Sequence, residues 1–459
     1  MVKIGPSLRA HGRPLLVLGL PLVASNLAQF AIHITDTVML GWYDVTALAA
    51  LTIAGNFFFV VFIVGSGFAF ALTPMVAAAI EQGDESQARR VTRMGFWLSA
   101  LYAAVTLPPL MFAEPILLAI GQEPEVAAGA QAYLRIAAWA LIPNLFVMVL
   151  KGFLSALERT GVILWSTVGA AILNAVVNYA LIFGNWGAPE MGIRGAAVAS
   201  IVTVLLGFVW LVVYTRVTLP GYALFQRLWK SDWEAFVRVF RVGLPIGVTA
   251  LTEGGLFAAS SVMMGWLGEV PLAAHGIALQ VASVVFIVHV GLSQAATIRA
   301  GQALGRRDGE GLRAVGAASL VISALFAAAV VVVFLSVPEL LISGFVDPDD
   351  PAREAIMMVG TGLLAMAGLF HFADALQVMT LGLLRGVQDT RVPMWMSAFS
   401  YWGVGVPVSY WFGFELGLGG VGVWLGLALG LLAAAILLSL RFWGRAVRIE
   451  AVGAAAAAG

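Results

Sequence analysis

Apolar runs of about 20 residues or more recur from one end of this chain to the other. Nothing else narrows its fold as much, because about 20 residues at 1.5 Å rise are what a helix needs to cross some 30 Å of hydrocarbon. The runs fall near 14–40, 48–79, 94–112, 127–150, 162–183, 195–214, 237–265, 272–299, 312–335, 355–384, 392–412 and 421–440. Of the 459 residues, 61% are apolar and 11% charged, against roughly 25% charged in a soluble globular chain. The expected fold is therefore an all-α integral membrane protein with twelve transmembrane helices in the lipid bilayer. Zero net charge excludes the basic footprint of a nucleic-acid partner. The lack of cysteine excludes disulfides, thiol catalysis and thiolate metal sites. No A-x-A-like cleavage site follows the first run, and the tail 452–459 reads as a flexible end.

Basic residues set the expected orientation, since short cytoplasmic loops retain Lys and Arg. With the N-terminus inside, one face collects basic residues from every alternate loop, among them Arg13, Arg89, Arg90, Arg93, Arg159, Arg227, Lys230, Arg306, Arg307, Arg391 and Arg445. The other face is acidic, with Glu114, Glu123, Glu190, Asp347, Asp349 and Asp350. Both termini are thus expected in the cytoplasm, the protein lying multi-pass in the plasma membrane.

The chain also repeats itself. A shift of 224 positions places Gly19-Leu20-Pro21 on Gly243-Leu244-Pro245, Gly41-Trp42 on Gly265-Trp266, and Asp84 on Asp308. The same shift superposes 60–64 on the identical 284–288. About a third of positions match over roughly 70 gap-free residues, which points to duplication. Gly152 and Thr160 later correspond to Gly382 and Thr390, so the repeat spans six helices. An even number keeps both copies in one orientation, giving two parallel six-helix repeat lobes around a central cavity. The expected domains are an N-terminal lobe over 1–215, a basic cytoplasmic linker over 216–241 and a C-terminal lobe over 242–459.

Among the acids only Asp36, Glu253 and Asp374 lie well inside the expected spans, with no Lys or Arg expected at comparable depth. An ionised Asp near mid-helix costs about 2.5–3.5 kcal/mol, so each must be protonated, bound to a cation or wet. That is the chemistry of a coupling site. Asn26, Gln29, His33 and Asp36 step by three or four residues and share a helix face, which places His33 to tune Asp36. Asn174 and Asn178 stand one turn apart, His371, Asp374 and Gln377 share a face, and Asn56 and Gln280 occupy equivalent repeat positions. An isolated amide in such a place serves as readily as an interhelical brace. His275 and His289 are expected to pack.

Residues Thr35 to Gly41, the helix of Glu253, Asp374-Ala375-Leu376-Gln377, and Leu384-Arg385-Gly386 followed by Asp389-Thr390 together carry a resemblance. The chain resembles the NorM branch of the multidrug and toxic compound extrusion family over essentially all twelve spans. The resemblance implies a V-shaped pair of lobes exporting amphipathic, usually cationic small compounds in exchange for Na+ or H+; a monomer without a cofactor is expected. It also implies that Asp36, Asn174 and Asn178 form an N-lobe polar site, and that Glu253 and Asp374 form a C-lobe site able to hold Na+. Some relatives place a Tyr near that cation where this chain has Phe286 or Phe370, a departure that removes a hydroxyl ligand.

Two other functions compete. A lipid-linked saccharide flippase of the same superfamily would bind an anionic headgroup and should favour Arg or Lys inside its cavity, where acids and amides stand instead. An intramembrane aspartyl protease would carry a Gly-x-Gly-Asp signature, which is missing. No enzyme activity is expected.

Overall fold

The computed structural model describes residues 4–448; Lys3 and the tail 452–459 lie outside them. Its helices are α1 (Ile4–Tyr43), α2 (Val45–Glu81), α3 (Glu85–Met111), α4 (Ala113–Ala119), α5 (Pro124–Ala137), α6 (Leu141–Ala156), α7 (Thr160–Phe183) and α8 (Ile193–Thr218). The second half continues with α9 (Trp233–Leu267), α10 (Glu269–Gly305), α11 (Gly309–Ser336), α12 (Pro338–Ser343), α13 (Arg353–Gly386), α14 (Arg391–Ala398), α15 (Val406–Tyr410) and α16 (Gly419–Arg441). Among the described residues, 11 helical segments are long and apolar enough to cross a membrane, α5 and α6 joining through a 3-10 turn to make one of them. The remaining expected span is helical too, but wound differently. Helices α14 and α15 are continued by π-helical turns at Phe399–Gly405 and Trp411–Glu415. Pro407 has no N–H to close an α turn onto Gly403, and a wider turn accommodates the missing bond.

The turns show the duplication at atomic detail. Asp84 caps α3 by accepting from the Gln87 amide at 2.8 Å, and Asp308 caps α11 by accepting from the Gly311 amide at 2.7 Å. Short acidic side chains satisfy the free amides of a first helical turn. The residue before each cap is left-handed, Gly83 at φ 72° and Arg307 at φ 56°. Likewise Glu158 at φ 59° and Gln388 at φ 61° end α6 and α13. In both turns the next residue's amide bonds back five residues, Arg159 to Leu154 and Asp389 to Leu384.

By contact the chain falls into two compact units, Ala24–Gly247 and a second formed by Met1–Val23 with Val248–Gly459. The two cuts, after Val23 and after Gly247, are equivalent positions of the repeat. Each unit therefore includes the opening half of the other repeat's first helix. In the first unit α9 meets α2 backbone to backbone: a Cβ on Gly67 would lie 2.5 Å from both the Gly243 carbonyl oxygen and the Gly247 nitrogen. In the second unit the corresponding contact brings Val23 of α1 onto Gly291 of α10. Small residues permit such close approach where lipid gives helices little hydrophobic reason to associate. The irregular stretch before α9 covers only Leu219 to Asp232; Arg238 and Arg241 of the expected linker lie within the helix.

Candidate functional site

Each unit holds a cluster of acidic and amide side chains within its long apolar helices. In the unit Ala24–Gly247, α1 contributes Asp36 and α7 contributes Asn174 and Asn178, all three buried. Asn178 Nδ2 donates to Asp36 Oδ1 at 2.5 Å and to Asn174 Oδ1 at 3.0 Å. The one-turn spacing within α7 lets the Asn174 carbonyl oxygen hold the Asn178 amide that donates to the carboxylate. Asn174 Nδ2 and Asn178 Oδ1 are buried without a protein partner, so the cluster retains both a donor and an acceptor. Tyr133 of α5 is buried close enough for its hydroxyl to feel the charge of Asp36.

The rest of the α1 stripe diverges from this cluster. His33 and Gln29 are exposed and Asn26 is half-buried. No hydrogen bond joins His33 to Asp36 among the described residues; the His33 carbonyl instead accepts from Thr37 Oγ1.

In the unit containing Val248–Gly459, α13 brings His371, Asp374 and Gln377 to positions with 0% exposure. Both carboxylate oxygens of Asp374, both ring nitrogens of His371 and Oε1 of Gln377 are buried with no partner. Glu253 of α9 is half-buried overall, yet its Oε1 is also buried and unpartnered. Buried polar groups are ordinarily satisfied, because an unmade hydrogen bond costs about 1–3 kcal/mol. A cluster of several such orphans, two carboxylates included, is suited to protons, water or a hard cation. Among the described residues no three His, Asp or Glu side chains converge as a metal-binding group. The available carboxylate, amide and hydroxyl oxygens are hard donors, unlike the nitrogen and sulfur ligands softer metals prefer.

Two expectations change here. Glu253 does have a basic group within electrostatic reach, Arg385 from the last turn of α13. A hydroxyl is also present despite the Phe positions: Tyr401, fully buried on the first π-helical turn, accepts a hydrogen bond from Gln377 Nε2 at 2.7 Å. Its phenol interacts electrostatically with Glu253 and Asp374. The signal was the spacing Ser397, Ser400, Tyr401 in an apolar run, which reads equally well as ordinary packing. Of the two Phe candidates, Phe370 packs against His371 and Trp424, with ring centroids 5.6 Å away in each case. Phe286 is half-buried with no aromatic contact among the described residues, and Gln280 on the same helix is exposed.

Of the two histidines expected to pack, His275 is held by hydrogen bonds as well. Trp424 Nε1, which can only donate, reaches His275 Nδ1 at 3.0 Å. His275 must then carry its proton on Nε2, which faces Ser261 Oγ at 3.2 Å and Ser260 Oγ at 3.4 Å. Ser260 is the repeat counterpart of Asp36, so a neutral Trp-His-Ser brace stands where the other half keeps an acid. His289 stacks on His371 at 6.4 Å and meets Phe326 edge-on at 5.2 Å.

The chain matches the MatE family over residues 21–180 and 245–411. It is 46% identical over 447 residues to a probable multidrug resistance protein NorM of Rhizobium meliloti, covering 97% of this chain and 96% of the relative. Identity to the corresponding protein of Agrobacterium fabrum is 45% over 435 residues, or 94% of each chain. A solved eukaryotic MATE transporter, AtDTX14, shares the fold with a TM-score of 0.86 at 20% identity, over 98% of this chain and 99% of that one. An outward-facing multidrug resistance MATE transporter superposes with a TM-score of 0.88 at 19% identity and the same coverage.

Proposed function

The chain belongs to the MatE family of transporters, and on that premise we propose that it is a secondary active multidrug efflux antiporter. It exports amphipathic cationic compounds in exchange for H+ or Na+ by alternating access. It sits in the plasma membrane as a monomer with both termini in the cytoplasm. The observation that carries this reading is the carboxylate of Asp374, with both oxygens buried and unpartnered in the same unit as Glu253. A fixed bare charge in that setting would cost several kcal/mol, so the site works by taking up and releasing a cation.

Asp36 with Asn174 and Asn178 serves as the second exchange site, in which the amides orient the carboxylate and His33 tunes it. Asn26, Gln29, Gln280 and Phe286 contribute to the path of the exported compound. His371 and Gln377 hold the surroundings of Asp374. The relatives named NorM at 45–46% identity support export of drugs rather than flipping of lipid-linked sugars.

The test is export of a fluorescent lipophilic cation from proteoliposomes, with Na+ and pH gradients imposed separately. Asp374→Asn, Glu253→Gln and Asp36→Asn should each reduce gradient-driven export to near background while the protein remains inserted. His33→Gln should move the pH profile with a smaller loss of maximal rate. Full Na+- and H+-driven export by all three acid variants would remove the reading, and an unchanged profile for His33→Gln would remove the tuning role.

A further inference from the structure

A second site of a different kind lies at the start of α3. A cavity of about 240 Å³ opens between the first turns of that helix and the irregular stretch before α9. Its basic lining is Arg89, Arg90, Arg93, Arg227 and Lys230, against a single acid, Asp232. That acid is already committed: Arg90 Nε and Nη2 bind its two oxygens at 2.5 and 3.1 Å, and Arg90 Nη2 also reaches Glu234 at 3.0 Å. The guanidinium of Arg90 accordingly holds the Asp232 carboxyl below the usual carboxylate range. Among the described residues none of the other four cations forms an ion pair with Asp232.

Arg93 makes this more than a charged surface. It is 7% exposed, lines the cavity, and its Nε is buried with no hydrogen-bond partner. Burying a guanidinium N–H unpaired beside other cations is unfavourable, and an anion in the cavity would relieve it. The loop is built to hold this shape. Trp97 Nε1 donates to the Leu228 carbonyl at 2.7 Å, and Arg227 is kept left-handed at φ 54°. The cluster is specific to this half, since the repeat places Ala314 and Ala317 where Arg90 and Arg93 stand.

The surroundings indicate where the anion comes from. Trp229 and Trp233 beside the cavity are 78% and 65% exposed, and exposed Trp marks the level of lipid headgroups. Trp97, Leu101 and Val105 follow Arg93 at four-residue steps, all exposed. They form an apolar stripe down the lipid-facing side of α3.

We propose that this cavity binds the phosphodiester headgroup of an anionic phospholipid, with an acyl chain laid along the Trp97, Leu101 and Val105 stripe. Arg93 supplies the planar fork that matches a phosphate, while Arg89, Arg227 and Lys230 supply charge.

The test uses the full chain in nanodiscs of phosphatidylcholine with or without phosphatidylglycerol, reading bound lipid by native mass spectrometry. Wild type should retain phosphatidylglycerol over phosphatidylcholine. Arg93→Gln combined with Arg227→Gln should lower that retention about 25-fold, taking roughly fivefold for each charge removed near the surface. Arg93→Lys, which keeps the charge and loses the fork, should fall in between. Arg306→Gln with Arg307→Gln, at a different basic turn, should leave retention unchanged; an equal loss there would reduce the effect to general surface charge and overturn the site. Displacement of the lipid by millimolar inorganic phosphate, or phosphate binding in phosphatidylcholine alone, would overturn the lipid assignment in favour of a soluble anion. If Arg93→Gln fails to fold, two loop variants decide instead. Arg227→Gln should weaken retention about fivefold, Asp232→Asn should strengthen it by releasing Arg90, and no change in either would end the proposal.

Discussion

Tyr401 illustrates how a single side chain takes its meaning from its partners. Its oxygen accepts from Gln377 Nε2, which leaves the phenolic hydrogen free to be offered elsewhere in the cluster. Replacing Tyr401 with Phe removes that oxygen and leaves the Gln377 amide unsatisfied, beside an Oε1 that already lacks a partner. The expected cost is about 1–3 kcal/mol of stability, measured as the detergent-solubilised unfolding midpoint. The same variant should weaken the apparent affinity for the driving cation severalfold without abolishing export, measured as gradient-driven rate against cation concentration. Unchanged affinity would make Tyr401 a brace and nothing more. At this scale the acids were legible in the sequence because an ionisable residue inside an apolar run is conspicuous wherever it falls. Tyr401 and Arg385 were not, because a tyrosine suits apolar packing and Arg385 stands at a helix end, where basic residues are ordinary.

Among the elements, the contact between α2 and α9 leaves no room for a side chain. A Cβ on Gly247 would lie 2.4 Å from the Val64 carbonyl oxygen and 2.9 Å from its Cα, and backbone atoms of a packed helix cannot step aside as a side-chain tip can. Gly247→Ala should therefore destabilise by about 1–3 kcal/mol through overpacking, despite the better helix propensity of Ala. Gly207→Ala in α8, where nothing lies within 4 Å, should instead be neutral or stabilising by up to about 1 kcal/mol. Thermal unfolding of the two variants side by side checks both signs, and equal shifts would refute the packing argument. The helices themselves were readable from their apolar runs. The π-helical winding of α14 and α15 was not, since Pro407 announces a local break in hydrogen bonding without saying which neighbouring turn absorbs it.

For the whole molecule, alternation of basic and acidic connections predicts which residues face the cytoplasm. Ser231 is exposed in the irregular stretch before α9, and the chain has no native cysteine, so Ser231→Cys is a clean probe. An impermeant thiol reagent should label it in inverted vesicles or permeabilised cells and leave it unlabelled from outside intact cells; labelling from outside would reverse the map. Such a prediction is possible from sequence because partitioning into a bilayer is additive along a local stretch of chain: each apolar run, each loop charge and each repeated motif acts where it stands. The sequence by itself thus determined the apolar helices, the duplication and the three acids inside apolar runs. Tertiary structure alone decided that Tyr401 meets Gln377, that Arg385 reaches Glu253, that α9 opens inside the unit of the other repeat, and that Arg93 is buried in a basic cavity. These depend on the rotation and register of packed helices, and in spans that are apolar on every face periodicity carries little record of which side turns inward.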